Sequence, residues 1–395
     1  MHVGERREMH LPAHVAHGDG SVSDLSELLR RWGVAGRTAF VVSDRFLIDR
    51  GLADGLLGSL QSSGWRVEVF AEPAGEPTLS DAVEVVEAAR GSGADVVVGF
   101  GGGSVLDLAK VVALLLANRG DIADHLSATE RLKPAKPLVL VPTTAGTGAE
   151  ATRVAVLSDG VRKHVLSHPS LVPLGVVLDA AVIADLPPHI TAATGMDALA
   201  HAVESSLSTS STPLTASMGL RAATLLMHWL PVAYRDSGNL EARRATLYGA
   251  FLAGIALNAG VVVGHSMAYT VANRSKLAHG VTCAMALPFC VAFNAAAASP
   301  DLLFLGAVIS GASPGHFAGA AAAIAELAAS FGIPSTPLAA GISEAESAAM
   351  AHECTTVYPR PTNPVPMASS AVQALYAAWF RGDLEAAARA AELSN

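Results

Sequence analysis

Over its first 185 residues the chain alternates short apolar runs with amphipathic stretches. Residues 38–42, 66–70, 94–100 and 137–141 are Val-rich and bounded by turn residues, the pattern of strands buried on both faces. Between them, in 23–32, 47–62 and 80–92, apolar residues recur every three or four positions, as on one face of a helix. Strand alternating with helix predicts a parallel sheet covered on both sides. Beyond Asp185 the β-branched runs disappear. Ala, Leu and Met dominate long segments starting near Thr191, Pro213, Leu240 and His316, which predicts an all-α region. Pro187-Pro188 interrupts any helix and sets the boundary, giving an α/β domain over 1–185 and a helical domain over 186–395. The run 247–263 approaches a membrane span in length. Asn258 interrupts it, Gly and Ala recur in it and no basic flank orients it, so it reads as a buried helix and no membrane association is expected.

Composition narrows the partners. The 395 residues suit two domains, and 51% hydrophobic with 15% charged residues excludes a disordered chain. Lys and Arg number 26 against 35 Asp and Glu, a net charge of −9 that argues against nucleic acid as a partner. Three cysteines, Cys283, Cys290 and Cys354, cannot staple a chain of this length. Glu5, Arg6, Arg7 and Glu8 stand where a secretory peptide needs an apolar core, so a reducing cytoplasmic setting is expected.

Two loops bear on nucleotide chemistry. Gly101-Gly102-Gly103-Ser104 follows the run 94–100 and precedes a helical pattern over 105–115. Lacking Cβ atoms, the glycines let backbone N–H groups approach an anion, and the following helix adds free donors. The alternative is a turn that closes a strand–helix corner. Pro142-Thr143-Thr144-Ala145-Gly146-Thr147-Gly148 follows the next strand, where open parallel sheets bind ligands. Neither the Rossmann fingerprint nor the Walker pattern is present. At the end of the first predicted strand, Asp44 offers an acid to ribose hydroxyls, with Arg45 beside it.

The helical half carries a second constellation. In Gly195-Met196-Asp197-Ala198-Leu199-Ala200-His201, a carboxylate and an imidazole four residues apart share a helix face. His265 and His279 follow, each among small neighbours. One carboxylate and three imidazoles suit Fe²⁺ or Zn²⁺ with a position left for substrate. Each histidine taken singly also has a structural reading, since the chain has 14.

In order, Gly101 to Ser104 with Asp107 and Lys110, Pro142-Thr143-Thr144 through Glu150 and Thr152, Gly195-Met196-Asp197-Ala198 with His201, and His265 with His279-Gly280 resemble the iron-containing (group III) alcohol dehydrogenase family over nearly the whole chain. The resemblance implies a dehydroquinate synthase-like architecture and a small-molecule aldehyde or alcohol as substrate. It implies NAD(H) or NADP(H) with a divalent metal, Fe²⁺ before Zn²⁺, and a homo-oligomer, dimer or larger. It places Asp197, His201, His265 and His279 at metal-ligand positions. Asp44, Gly101, Gly102, Gly103, Ser104, Asp107, Thr143, Thr144, Thr147, Thr152 and Lys163 fall at cofactor positions.

Two departures stand out. Tyr269 occupies the position of a second histidine common in the family, so the proton relay falls to Tyr269, to His279, to water or to a ribose hydroxyl. In Asn273-Arg274-Ser275-Lys276-Leu277-Ala278-His279, two cations precede a ligand position. Arg274 and Lys276 suit a substrate bearing phosphonate, sulfonate or carboxylate, or else belong to a solvated loop. The expected activity is hydride transfer between a nicotinamide and a short-chain aldehyde. A maleylacetate reductase-type enzyme and a non-catalytic nucleotide-binding protein are the alternatives.

Overall fold

The protein is described here by a computed structural model covering residues 8–72, 75, 77–120, 122, 125, 132–160, 163–297, 299–312 and 317–394. The chain divides into two compact units, one of residues 8–144 and 148–185, the other containing 145–147 and 186–395.

The first unit is built on a parallel six-stranded sheet in the order β1-β8-β5-β4-β2-β3. Its strands are β1 (His14–His17), β2 (Thr38–Asp44), β3 (Arg66–Glu72), β4 (Val96–Gly101), β5 (Leu138–Pro142) and β8 (Gly175–Leu178). β6 (Val154–Ser158) and β7 (Lys163–Ser167) form a separate antiparallel pair. Helices α1 (Leu25–Arg31), α2 (Arg45–Asp49), α3 (Asp54–Ser62), α4 (Leu79–Ser92) and α5 (Gly103–Ala117) connect them. Every residue of β4 and β5 is buried, as apolar runs without alternation predict. The core joins β2, β4 and β5 to α4 and α5 through Phe40, Val97, Leu140, Val86 and Val112. α4 starts at a Thr78–Asp81 capping box and ends at Gly93, whose φ of 68° suits a residue without Cβ. The expected helix 47–62 is two helices, because the chain turns through Gly51 at φ 70°.

The second unit is largely helical. Its elements include α6 (Pro188–Leu207), α7 (Pro213–Arg235), α8 (Leu240–Ala256), α9 (Val263–Ala272), α10 (His279–Asn294), α11 (Pro300–Ser310), α12 (Ala318–Ser330), α13 (Ser347–Thr356), α14 (Ser369–Arg381) and α15 (Leu384–Ala390). Pro188 takes the first turn of α6, where a missing N–H costs nothing. Buried Arg243 pins that start, donating to Thr191 Oγ1 at 2.7 Å and to the Leu186 carbonyl at 2.7 Å. The apolar run 247–263 is not one helix. α8 gives way to a short 3₁₀ turn, Gly260 adopts a φ of 78°, and α9 leaves at 107° to the preceding helix. His279–Ala297 is long and apolar enough to cross a membrane, yet 72% of its apolar window is buried inside the protein, as in a core helix.

Candidate active site

α6 carries Asp197, His201 and Glu204 at spacings of four and three, so all three project from one buried face. α9 contributes His265 near its start and α10 contributes His279 as its first residue. The Nε2 atoms of His201, His265 and His279 lie 3.8, 3.9 and 3.8 Å from one oxygen, Asp197 Oδ1. Asp197 Oδ1 and His265 Nε2 are both buried without a hydrogen-bond partner. An unpaired buried polar atom costs about 1–3 kcal/mol, and native interiors rarely leave two side by side. A divalent cation with bonds of about 2.1 Å bridges donors up to roughly 4.2 Å apart, so the spacing fits such an ion.

Protonation agrees with that use. Burial raises the Asp197 carboxyl, but the imidazoles of His201, His279 and His265 outweigh it and hold it below the ordinary carboxylate range. Burial pushes the His201 imidazole down, against the opposing charge of Asp197. His279 has a side-chain exposure of 36% against 5% for Asp197, so the cluster opens on the His279 side.

Close approach of the helices depends on two glycines. A Cβ on Gly280 would fall 2.0 Å from the Ala193 carbonyl oxygen, so only glycine lets α10 start against α6 and set His279 beside Asp197. A Cβ on Gly264 would fall 2.6 Å from Glu204 Oε1. That carboxylate escaped the sequence analysis. Glu204 Oε1 lies 2.6 Å from His265 Nδ1, while Oε2 accepts from the backbone N–H of Val262 and His265 at 2.9 and 3.1 Å. A carboxylate acceptor fixes the Nδ1–H tautomer and turns the Nε2 lone pair to Asp197. The spacing Asp197, His201, Glu204 on one helix face was the available signal.

Cys283 was also missed. It stands one turn after His279, its Sγ 3.5 Å from His279 Nε2, and one donor atom each from Asp197, His265, His279 and Cys283 falls within 4.8 Å of the others. Tyr269 stacks on His279, ring centroids 5.4 Å apart and nearly parallel, and lies 5.1 Å from the Tyr358 ring. Burial pushes its phenol up to about 12, against the opposing charge and hydrogen bond of Arg360. Tyr269 therefore holds its proton at neutral pH.

The two cations of the basic segment are not placed alike. Arg274 Nε donates to Glu346 at 3.0 Å, and its Nη1 donates to Glu353 at 2.6 Å and to the Thr270 carbonyl at 3.0 Å. It joins α9 to α13 with its charge already met. Lys276 is exposed on the connection to α10.

In the first unit the nucleotide loops lie side by side. Gly101 pairs with Pro142 in register, and the Thr143 N–H donates to the Gly101 carbonyl at 2.9 Å. Gly102 is the N-cap of α5 and provides no side-chain cap, so the first N–H groups of this 15-residue helix, at its positive end, have no capping side chain. Thr144 approaches Gly102 closely enough that a Cβ there would touch its side chain at 3.5 Å. Asp44 ends β2 and caps α2, its Oδ1 accepting from the Phe46 N–H at 2.7 Å. Asp107 and Thr152 are engaged elsewhere. Buried Lys110 donates to Thr152 Oγ1 at 3.0 Å and to the Val154 carbonyl at 2.5 Å, and lies 3.5 Å from Asp107, whose other oxygen accepts from the Val156 N–H at 3.0 Å. These two residues tie α5 to β6. Thr147 belongs to the stretch 145–147 of the helical unit, and the Lys163 side chain lies outside the described residues.

Both halves of the chain match one family of known proteins. Residues 12–180 match the iron-containing alcohol dehydrogenase family, and 191–380 match the C-terminal Fe-containing alcohol dehydrogenase family. A probable alcohol dehydrogenase, EutG of Escherichia coli K12, is 40% identical over 280 residues, 70% of either chain. A 1,3-propanediol oxidoreductase structure superposes with a TM-score of 0.88 at 29% identity, covering 95% of this chain and 100% of that one. The sulfoacetaldehyde reductase of Bifidobacterium kashiwanohense, solved with NAD+, gives 0.87 at 25% identity, with coverage of 95% and 99%. With both halves matched in order and the buried Asp and His cluster in place, the chain belongs to the iron-containing alcohol dehydrogenase family.

Proposed function

We propose that the protein is a metal-dependent NAD(P)(H) alcohol dehydrogenase, interconverting a short-chain aldehyde and its primary alcohol by hydride transfer. The observation that carries the reading is the convergence of three imidazole Nε2 atoms at 3.8–3.9 Å on the unbonded, buried Asp197 Oδ1. Asp197, His201, His265 and His279 would hold a divalent metal, Fe²⁺ or Zn²⁺, which when bound supplies a Lewis acid for a carbonyl or alkoxide oxygen. Glu204 keeps the proton of His265 on Nδ1. The uncapped start of α5 and the Thr143-Thr144 turn would bind the pyrophosphate of the dinucleotide, and the free oxygen of Asp44 would accept from ribose. Tyr269 keeps its phenolic proton and acts as a donor rather than a base.

The test is anaerobic NADH and NADPH oxidation with short aldehydes by protein stripped with chelator and reloaded with Fe²⁺ or Zn²⁺. Activity should vanish on stripping and return on loading. Full turnover by stripped protein, with maleylacetate as the preferred substrate, would replace this reading with a metal-independent maleylacetate reductase.

A further inference from the structure

Beside the Asp and His cluster stands Arg360, a cation with no carboxylate in ion-pair contact among the described residues. Arg360 is partly buried, its Cζ 5.8 Å from the centroid of the Tyr269 ring, the same ring on which His279 stacks at 5.4 Å. Its Nε donates to Ser266 Oγ at 3.1 Å, and the Ser266 hydroxyl donates in turn to the Tyr358 carbonyl at 2.6 Å. That relay fixes the guanidinium plane. Its other hydrogen-bond partner is the Tyr269 phenol. Among the described residues no carboxylate lies within ion-pair distance of Arg360, while Arg274 nearby takes both Glu346 and Glu353. Glu353, the acid closest to Arg360 in sequence, is further engaged by Asn273 at 2.6 Å.

A guanidinium presents five N–H donors in a rigid fork, and the Ser266 hydroxyl and the Tyr269 phenol engage only part of them. Taking such a charge partly out of water without a counter-ion is unfavourable, which favours an anionic ligand beside it.

Resting on the dehydrogenase reading above, the geometry points to Arg360 as the specificity-determining residue for an anionic substrate. It would grip a phosphonate, sulfonate or carboxylate through its Nη edge while the aldehyde carbon lies at the Asp197, His265 and His279 cluster. Arg274, the candidate from sequence, already carries Glu346 on its Nε and Glu353 on its Nη1. Tyr269, between Arg360 and His279, sets the span and so favours a short aldehyde with the anion at the far end.

The test compares metal-loaded wild type, R360Q, R360K and R274Q. kcat/KM is measured with propanal and with two-carbon aldehydes bearing phosphonate, sulfonate or carboxylate. Wild type should prefer at least one charged aldehyde, and in R360Q that preference should fall about 100-fold, mainly through KM. R360K should recover part of it, having the charge without the fork, and R274Q should retain it. The three anions identify which headgroup the fork accepts. An unchanged charged-to-neutral ratio in R360Q overturns the role of Arg360 while leaving the dehydrogenase intact. Silence of wild type with every aldehyde refutes the dehydrogenase reading instead. Calorimetric binding of 2-hydroxyethylphosphonate, 2-hydroxyethylsulfonate and glycolate then decides the anion site without turnover. Equal binding by wild type and R360Q for each would overturn it, and loss in R360Q would uphold it.

Discussion

Replacing Glu204 by Gln tests the site through a residue that touches no substrate. The carboxylate serves three donors, the Val262 and His265 backbone N–H groups at one oxygen and His265 Nδ1 at the other. A glutamine keeps one acceptor and gains an NH₂ group. If its oxygen retains the two backbone bonds, the NH₂ faces His265 Nδ1 at the former 2.6 Å contact, where two donors cannot coexist. The imidazole then moves its proton to Nε2, which is the atom 3.9 Å from Asp197 Oδ1. The lone pair that faces the pocket is lost. Loss of such a supporting contact weakens metal binding by roughly 10–100-fold, about 1.4–2.8 kcal/mol. Competition against a calibrated zinc chelator measures this directly, and a thermal melt of metal-free protein separates it from unfolding. E204A, which strands all three donors, should cost about 1–3 kcal/mol of metal-free stability for each donor that water cannot reach. Zinc affinity of E204Q within twofold of wild type, with the metal-free melt unchanged, would refute the tautomer argument.

Three further outcomes are expected. G280A sets a Cβ 2.0 Å from the Ala193 carbonyl oxygen, so α10 must retreat from α6; we expect a loss of about 1–3 kcal/mol in urea unfolding and at least tenfold weaker zinc binding, and unchanged values would show that the helix start yields easily. Burial raises the Glu150 carboxyl to about 7 from its ordinary 4.5, so the folded state holds the proton more tightly than the unfolded chain. Stability from that proton is full below about pH 4.5 and lost as pH rises through about 7, a decline of roughly 3 kcal/mol that E150Q should abolish in calorimetry of chelated protein; parallel pH profiles would count against a protonated Glu150. R274A severs the links to Glu346 and Glu353 and should lower stability by about 1 kcal/mol, the groups being partly exposed, and a loss above 3 kcal/mol would mean the tie is more than a surface brace.

What could be read from the chain followed local pattern. The Val-rich runs at 38–42, 94–100 and 137–141 are strands because both faces are covered, a condition that leaves a continuous apolar signature. β1 was not legible: four residues, His14 to His17, alternate partly buried and exposed and resemble a loop until β8 pairs with them. The antiparallel pair β6 and β7 is too short and mixed to stand out. In the site, Asp197 and His201 announce themselves by helix spacing, whereas Glu204, Cys283 and Arg360 acquire meaning only from partners 61, 4 and 94 positions away. Arg274 shows the converse limit. Its position before His279 suggested an anion contact, and only the packing of α13 reveals two carboxylates already upon it. The run 247–263 misled because hydropathy does not register Gly260, where the chain turns.

The strand order has a consequence for how the molecule comes into being. β2, β3 and β4 are neighbours in the sheet and all lie between residues 38 and 101, so this half can pair as soon as that stretch has left the ribosome. β1 has no such option. Among the described residues its sheet partner is β8, His14 meeting Gly175, and it must wait with an open edge while some 160 residues are added. Pairings across so long a loop are slow to close. β1 thus precedes its partner by most of the unit and is among the last strands to find its place, its brevity limiting how far that edge can pair with other chains in the interval.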